Sequence, residues 1–201
     1  MTNYEKTTPQ TLTLFHTGFS EIQLPDVHFG RKNADFGQGF YLSPNEAFSR
    51  RWARFRKGQQ TILNQYCLRT EGLKIRRFTR DKAWFDYIFS NRMGKQDALQ
   101  DIDVIIGPIA NDTIYDTWGV LTSGLISAEL ALQLLSVGPA YEQVVLKTEK
   151  AAASLQFISA QILTAEEIAT ARQNVREEEA VFQDAFAALI AESDAILEKL
   201  V

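Results

Sequence analysis

From Thr164 to Val201 the chain contains neither glycine nor proline. That constrains the fold more than any other feature, because a segment without breakers can run as one helix and the punctuated residues before it cannot. "TAEE" at 164–167 puts threonine at an N-cap position with glutamate three residues on, the pattern of a capping box. Ile168, Val175, Phe182, Leu189 and Ile196 then recur every seven residues, and Ala171, Ala185, Phe186 and Ile190 widen the stripe. The segment 164–201 reads as one amphipathic helix. Its stripe packs on the chain's own domain or docks a partner or a second copy, and Glu177, Glu178 and Glu179 form a wet face.

Residues 1–163 read instead as one domain of short, closely punctuated elements. "TLTLFH" at 11–16 alternates threonine with apolar residues as a half-buried strand does, and it ends on His16 just before the breaker Gly18. After a loop carrying Pro25 and Gly30 comes the short apolar run "GFYL". "SPNE" then sets Ser43 as N-cap, Pro44 at the first helical position and Glu46 three residues past the cap. The helix so predicted runs from Pro44 to Lys57 and stops at Gly58, with Phe48, Trp52 and Phe55 on one face. Strands are expected at 61–68 and 73–78 around a Glu71-Gly72 turn, a helix from Asp81, and a strand in "DIDVIIGPIA" ending at Gly107-Pro108. Two short helices should follow in 111–135, the second capped by Ser127, and then strands in "EQVVLKTE" and "LQFISAQIL". Without a regular strand–helix–strand repeat, the list favours an α+β fold over a doubly wound sheet.

At 201 residues, 45% hydrophobic and 23% charged, the chain can bury one substantial core. No run approaches the roughly 18 apolar residues that a membrane span requires, and the opening "MTNYEKTTPQ" is polar, so a cytoplasmic location is the expectation. Cys67 is the single cysteine and there are two histidines, too few ligands for a Cys/His metal site. The net charge of −4 hides an asymmetry. Residues 1–100 hold 16 Lys/Arg against 9 Asp/Glu, whereas residues 101–201 hold 5 against 16. A basic half suits an anionic ligand, and the basic residues of "RRWARFRK" at 50–57 and of 74–82 suit a nucleic acid.

The glycines of "GRKNADFGQGFYL" suggest a phosphate loop, but G-x-G-x-x-G lacks its third glycine and the Lys-Ser/Thr ending of a P-loop is missing. The combination of "LFHTG", "FGQGFYL" and a following "SRRWA" resembles instead the ADP-ribosyltransferase superfamily in its His-Tyr-Glu, poly(ADP-ribose) polymerase-like form. Tyr41 and Trp52 keep that form's spacing of eleven between two aromatics. With "IIGPIAND", the longer run is most similar to a bacterial family of uncharacterised toxin-like domains found in toxin-antitoxin pairs. The resemblance covers about residues 11–163 and implies a mixed, mostly antiparallel split sheet flanked by short helices.

It also implies NAD as substrate, with nicotinamide released and ADP-ribose passed to a protein or nucleic acid. On that reading His16 bonds a ribose hydroxyl, and the backbone of Thr17, beside Gly18, pairs with the carboxamide. Tyr41 and Trp52 sandwich the nicotinamide ring, a flat π system for which aromatic neighbours suit. Gly37 and Gly39 allow close approach of backbone to ligand, and Arg31, with Lys32, meets the pyrophosphate. The glutamate position of the motif falls on "YEQVVLK", at Glu142 or Gln143. Adjacent strand residues face opposite sides, so only one can enter the cleft. Related domains place glutamine before the apolar run, which points to Gln143. An amide can bond a hydroxyl but cannot serve as a base, which implies single transfer or a catalytically weak module that binds NAD, ADP-ribose or nucleic acid. Asp112 and Tyr115 would shape the acceptor side, and an antitoxin is an implied partner.

Overall fold

A computed structural model of the chain describes residues 10–110 and 128–198. They divide into two compact units, one of residues 1–109 and 141–172, the other of 110–140 and 173–201. The first unit holds two sheets. Strands β1 (Thr11–Gly18), β3 (Ile62–Arg69) and β7 (Leu155–Ile162) form an antiparallel sheet in the order β1-β3-β7. Strands β2 (Phe40–Leu42), β4 (Ile75–Arg77), β5 (Val104–Pro108) and β6 (Glu142–Leu146) form the other in the order β2-β6-β5-β4, with only β4 and β5 parallel. The α+β expectation and the mostly antiparallel pairing both hold.

The period-two pattern of these strands builds the core. Leu14 and Leu68 from one sheet meet Phe40, Leu42, Val104, Ile106, Val144 and Leu146 from the other, all buried. Tyr66 is fully buried among them, and its hydroxyl donates to Ile22 O at 2.7 Å. The two sheets are tied by one bridge, in which Phe15 N donates to Ser43 O at 2.8 Å and Ser43 N to Phe15 O at 3.0 Å. The four-stranded sheet's other face is covered by aromatics. Phe36, Phe78 and Tyr87 stack with centroids 5.3 to 6.3 Å apart, and a side chain at Gly107 would meet Phe78 Cβ at 3.0 Å.

Helix α1 corrects the sequence reading. It spans Glu46–Arg50, five residues rather than fourteen, and its N-cap is Asn45, whose side chain accepts from Phe48 N at 3.0 Å. Ser43 does not cap because its backbone is committed to Phe15, while its hydroxyl donates to Glu142 O and accepts from Asn45 N. The helix stops early because Ala53 is drawn into a small core with Leu63, Leu163, Ile168 and Ala171. Phe55 is therefore off any helical face and 57% exposed. Helix α2 (Lys82–Arg92) begins where expected, with the Asp81 side chain accepting from Trp84 N at 2.9 Å.

The second unit contains helix α3 (Ala128–Leu135). The Ser127 cap and the short helix expected before it lie outside the described residues. In the first unit, a short helix α4 (Glu149–Ala153) that the sequence reading did not separate from its flanking strands is capped by Thr148. The long helix α5 (Ala165–Glu198) is continuous, and its capping box is formed: Glu167 N donates to Thr164 Oγ1 at 3.2 Å and Thr164 N to Glu167 Oε2 at 2.7 Å. Its first turns belong to the first unit, where Ile168 and Ala171 enter the small core. Along the expected stripe Phe182 is buried, and Val175 and Leu189 are half-buried. The side chains of Ile190 and Ile196 lie outside those described. Among the described residues no helix is long and apolar enough to cross a membrane.

Candidate functional site

The bridge between Phe15 and Ser43 sets the neighbouring residues of β1 and β2 against each other, and His16 uses this proximity. Its Nδ1 lies 2.8 Å from Tyr41 O. A carbonyl can only accept, so Nδ1 carries the hydrogen and the neutral ring leaves the Nε2 lone pair as an acceptor. The ring packs on Phe40 at 4.8 Å between centroids. Burial lowers the His16 pKa from its ordinary value, more than the bond to Tyr41 O raises it, so the neutral form is favoured.

Thr17 follows, buried, with its hydroxyl 3.2 Å from Ser49 Oγ on α1. Gly18 lies so close that a Cβ there would sit 3.2 Å from His16 Nε2. Trp52 comes just after α1, 46% exposed, with its ring edge-on to Phe48 at 6.5 Å. Phe48 in turn stacks on Tyr141 at 4.5 Å, and Arg51 lies 5.0 Å over the Tyr141 ring.

Tyr41 faces away from the core that Phe40 and Leu42 enter. Its hydroxyl donates to Gly37 O at 2.7 Å and accepts from Phe36 N at 3.0 Å, and its ring makes no contact with that of Trp52. Burial, with the Asp35 carboxylate second, pushes its pKa well up, so it remains a neutral phenol. Register decides the sidedness of β6. Tyr41 pairs with Val145, so Gln143, two residues away and half-buried, shares the Tyr41 face, whereas the exposed Glu142 points to the face of Phe40 and His16.

The "FGQG" glycines are close to protein atoms. Gly37 has φ +73°, and a Cβ there would stand 2.8 Å from Lys147 Nζ and 2.9 Å from Asp97 Oδ2. A Cβ at Gly39 would meet Leu146 O at 2.6 Å. Arg31 is exposed at the start of the loop, as is Lys32. Asp112 and Tyr115 lie outside the described residues.

Sequence reasoning missed the polar network that holds this loop from behind. Lys147 donates to Phe36 O and pairs with Asp97 at 2.8 Å, its side chain only 5% exposed. Tyr87 donates to the same carboxylate at 2.8 Å, as does Leu99 N. Burial works to raise the Asp97 pKa, but the bonds from Lys147 and Leu99 N outweigh it and hold the carboxyl below its ordinary range. On the loop's other side Arg92 pairs with Asp35 at 2.6 Å, and Asn91 donates to Asp35 O. "KTEK" and "KQDA" carry no spacing that would have singled out Lys147 or Asp97, because their partner lies across the fold.

Residues 12–157 match the profile of a family described as "Protein of unknown function (DUF3990)". The chain belongs to that family. The matched span runs from the second residue of β1 to the third of β7, so it includes His16, Tyr41, Trp52 and Gln143 and ends before α5. No curated protein and no solved structure matches the chain.

Proposed function

We propose that the chain is an NAD-dependent mono-ADP-ribosyltransferase of the toxin-like kind, working where β1 and β2 meet. The observation that carries the reading is the bond from His16 Nδ1 to Tyr41 O, which turns Nε2 into a fixed acceptor. A ribose hydroxyl donating to Nε2 would orient the NAD sugar, and a neutral imidazole is the form that accepts. Trp52, half out of the surface, offers a ring on which nicotinamide can stack, with the Tyr41 ring as the other wall. Gln143, on the Tyr41 face, can donate its amide to the second ribose.

The glycosidic bond between nicotinamide and ribose breaks, and a nucleophile of a protein or nucleic acid attacks the ribose carbon and loses its proton to solvent. Because Gln143 cannot take that proton, the reading implies one transfer per acceptor rather than chain growth. Arg31 would meet the pyrophosphate at the loop's exposed edge.

The test is nicotinamide release and label transfer from radiolabelled NAD in the presence of cell lysate or total RNA. The wild-type chain should be labelled or label an acceptor. His16→Ala and Trp52→Ala should each lose at least tenfold in rate. No release under any condition, or release unchanged in both variants, would overturn the enzymatic reading. The amide at Gln143 favours a second reading, a module that binds NAD or ADP-ribose without turnover. Calorimetry separates it, since that module gives heat of binding with NAD and no nicotinamide.

A further inference from the structure

The loop between α1 and β3 is built to hold its own backbone and to present its side chains. Ala53 is buried, and the Thr61 hydroxyl donates to Arg54 O at 2.6 Å. Arg56 and Gln59 close a tight turn around Lys57 and Gly58, with Gln59 N donating to Arg56 O at 3.1 Å and Gly58 at φ +75°. Between these anchors, Trp52, Arg54, Phe55, Arg56 and Lys57 are all exposed, the two aromatics at 46% and 57%.

Arg54 and Arg56 both stand over the Phe19 ring, at 5.7 and 5.5 Å, and Phe19 follows directly on Gly18. Neither guanidinium pairs with a carboxylate among the described residues. The sequence from Ala47 to Thr70 contains no Asp or Glu at all. Cations with no carboxylate partner among the described residues, interleaved with exposed rings on an anchored loop, make a basic surface with an apolar component, the pair of features that an anionic ligand with flat rings would meet.

We propose that this surface, formed by Phe19, Trp52, Arg54, Phe55, Arg56 and Lys57, binds single-stranded nucleic acid. The exposed rings of Trp52 and Phe55 accept unstacked bases, which a duplex does not offer, Phe19 supports the two guanidiniums, and the three cations follow the phosphates. Protein partners with acidic segments would use the charges but leave the two exposed rings without bases to stack on. The proposal goes beyond the reading of the His16 site and does not need it: Trp52 is shared with that site, but Phe55 and the three cations bind whether or not NAD is turned over.

Fluorescence anisotropy of a labelled mixed-sequence 20-nucleotide RNA against the full chain, without NAD, tests it. The wild-type chain binds, and its association constant falls with salt at a logarithmic slope of about −2, as roughly three phosphates neutralised on a single strand require. Replacing Arg54, Arg56 and Lys57 together by alanine weakens binding at least tenfold and flattens that slope. Phe55→Ala weakens binding severalfold and leaves the slope unchanged, which a purely ionic attraction would not predict. The same sequence as a duplex binds at least fivefold more weakly. The proposal fails if the wild-type chain does not bind at 50 mM salt, if the triple variant binds like wild type, or if duplex competes as well as the single strand. Failure of nicotinamide release with binding intact would remove the enzymatic reading and keep this surface.

Discussion

Two neighbouring stretches use the same residue types in opposite ways. At 31–41, arginine, lysine, aspartate and aromatics surround two glycines, and the structure turns most of them inward: Asp35, Phe36 and the Tyr41 hydroxyl are bonded to α2, β6 or the loop itself. At 52–57, arginines, lysine and aromatics surround one alanine, and only that alanine goes in. What differs is the partner. The first stretch is met from distant elements by Arg92 and Asn91 at Asp35 and by Lys147, itself paired with Asp97, at Phe36 O, whereas among the described residues no carboxylate pairs with the second. A cluster of charges and rings is therefore a corner or a docking surface according to what the topology brings opposite it.

The largest effect that could break the comparison is loss of Asp97. Asp97→Ala leaves Lys147 charged and 95% enclosed beside the Phe36 carbonyl, and breaking a buried pair from one side costs about 3–5 kcal/mol. Urea unfolding should show the midpoint falling accordingly; a change under about 1 kcal/mol would mean that the loop is not held from behind. Gly37→Ala comes next, at about 1–3 kcal/mol, because the new Cβ meets a left-handed backbone and the same ion pair. Tyr41→Phe keeps the ring but orphans Phe36 N, for about 1–2 kcal/mol. If Tyr41→Phe alone abolished NAD binding while stability held, the hydroxyl would be serving ligand rather than the loop.

Much of the fold was legible because it is local. The capping box at 164–167, the helix start at Asp81, the alternation of β1 and the breaker-free helix all depend on residues within a few positions of each other. The α1 reading failed at the point where locality ends. Ser43 has the chemistry of an N-cap, but its backbone is taken by Phe15, 28 residues earlier in the chain, and its hydroxyl by Glu142, so the next residue with a capping side chain, Asn45, takes the role. The candidate site shows the same division. His16 and Tyr41 stand out in the sequence within their motifs, whereas the faces of Glu142 and Gln143 depend on the β2–β6 register, which sets Gln143 on the side of Tyr41 and Glu142 on the side of Phe40 and His16. Lys147 and Asp97 were invisible because an ion pair formed between β6's end and the loop after α2 leaves no periodic mark.

A smaller effect comes from His16. Its folded pKa is lowered, so between that value and about 6.5 the unfolded chain binds more protons than the folded one, and stability falls as pH drops through this window. His16→Gln should flatten the profile there. NAD affinity should hold through that window and fall only as pH drops through the lowered folded pKa, where Nε2 is protonated and can no longer accept from a ribose hydroxyl; an affinity that already falls as pH drops through about 6.5 would mean that His16 is not the neutral, buried acceptor of the site.

The smallest effect sharpens the comparison most. Alanine at Arg54, Arg56 and Lys57 removes three charges from one short loop, yet each side chain is exposed and none has an ionic partner among the described residues, so the folded state loses the two contacts to Phe19 and the stability change should stay within about 0.5 kcal/mol. Relief of repulsion among three like charges offsets part of even that. Set beside the several kcal/mol at Asp97, a near-zero value would show that the charges at 52–57 are not there for the fold. A loss above about 1 kcal/mol would mean that the guanidiniums over Phe19 close the end of β1, and the two stretches would then differ in degree rather than in kind.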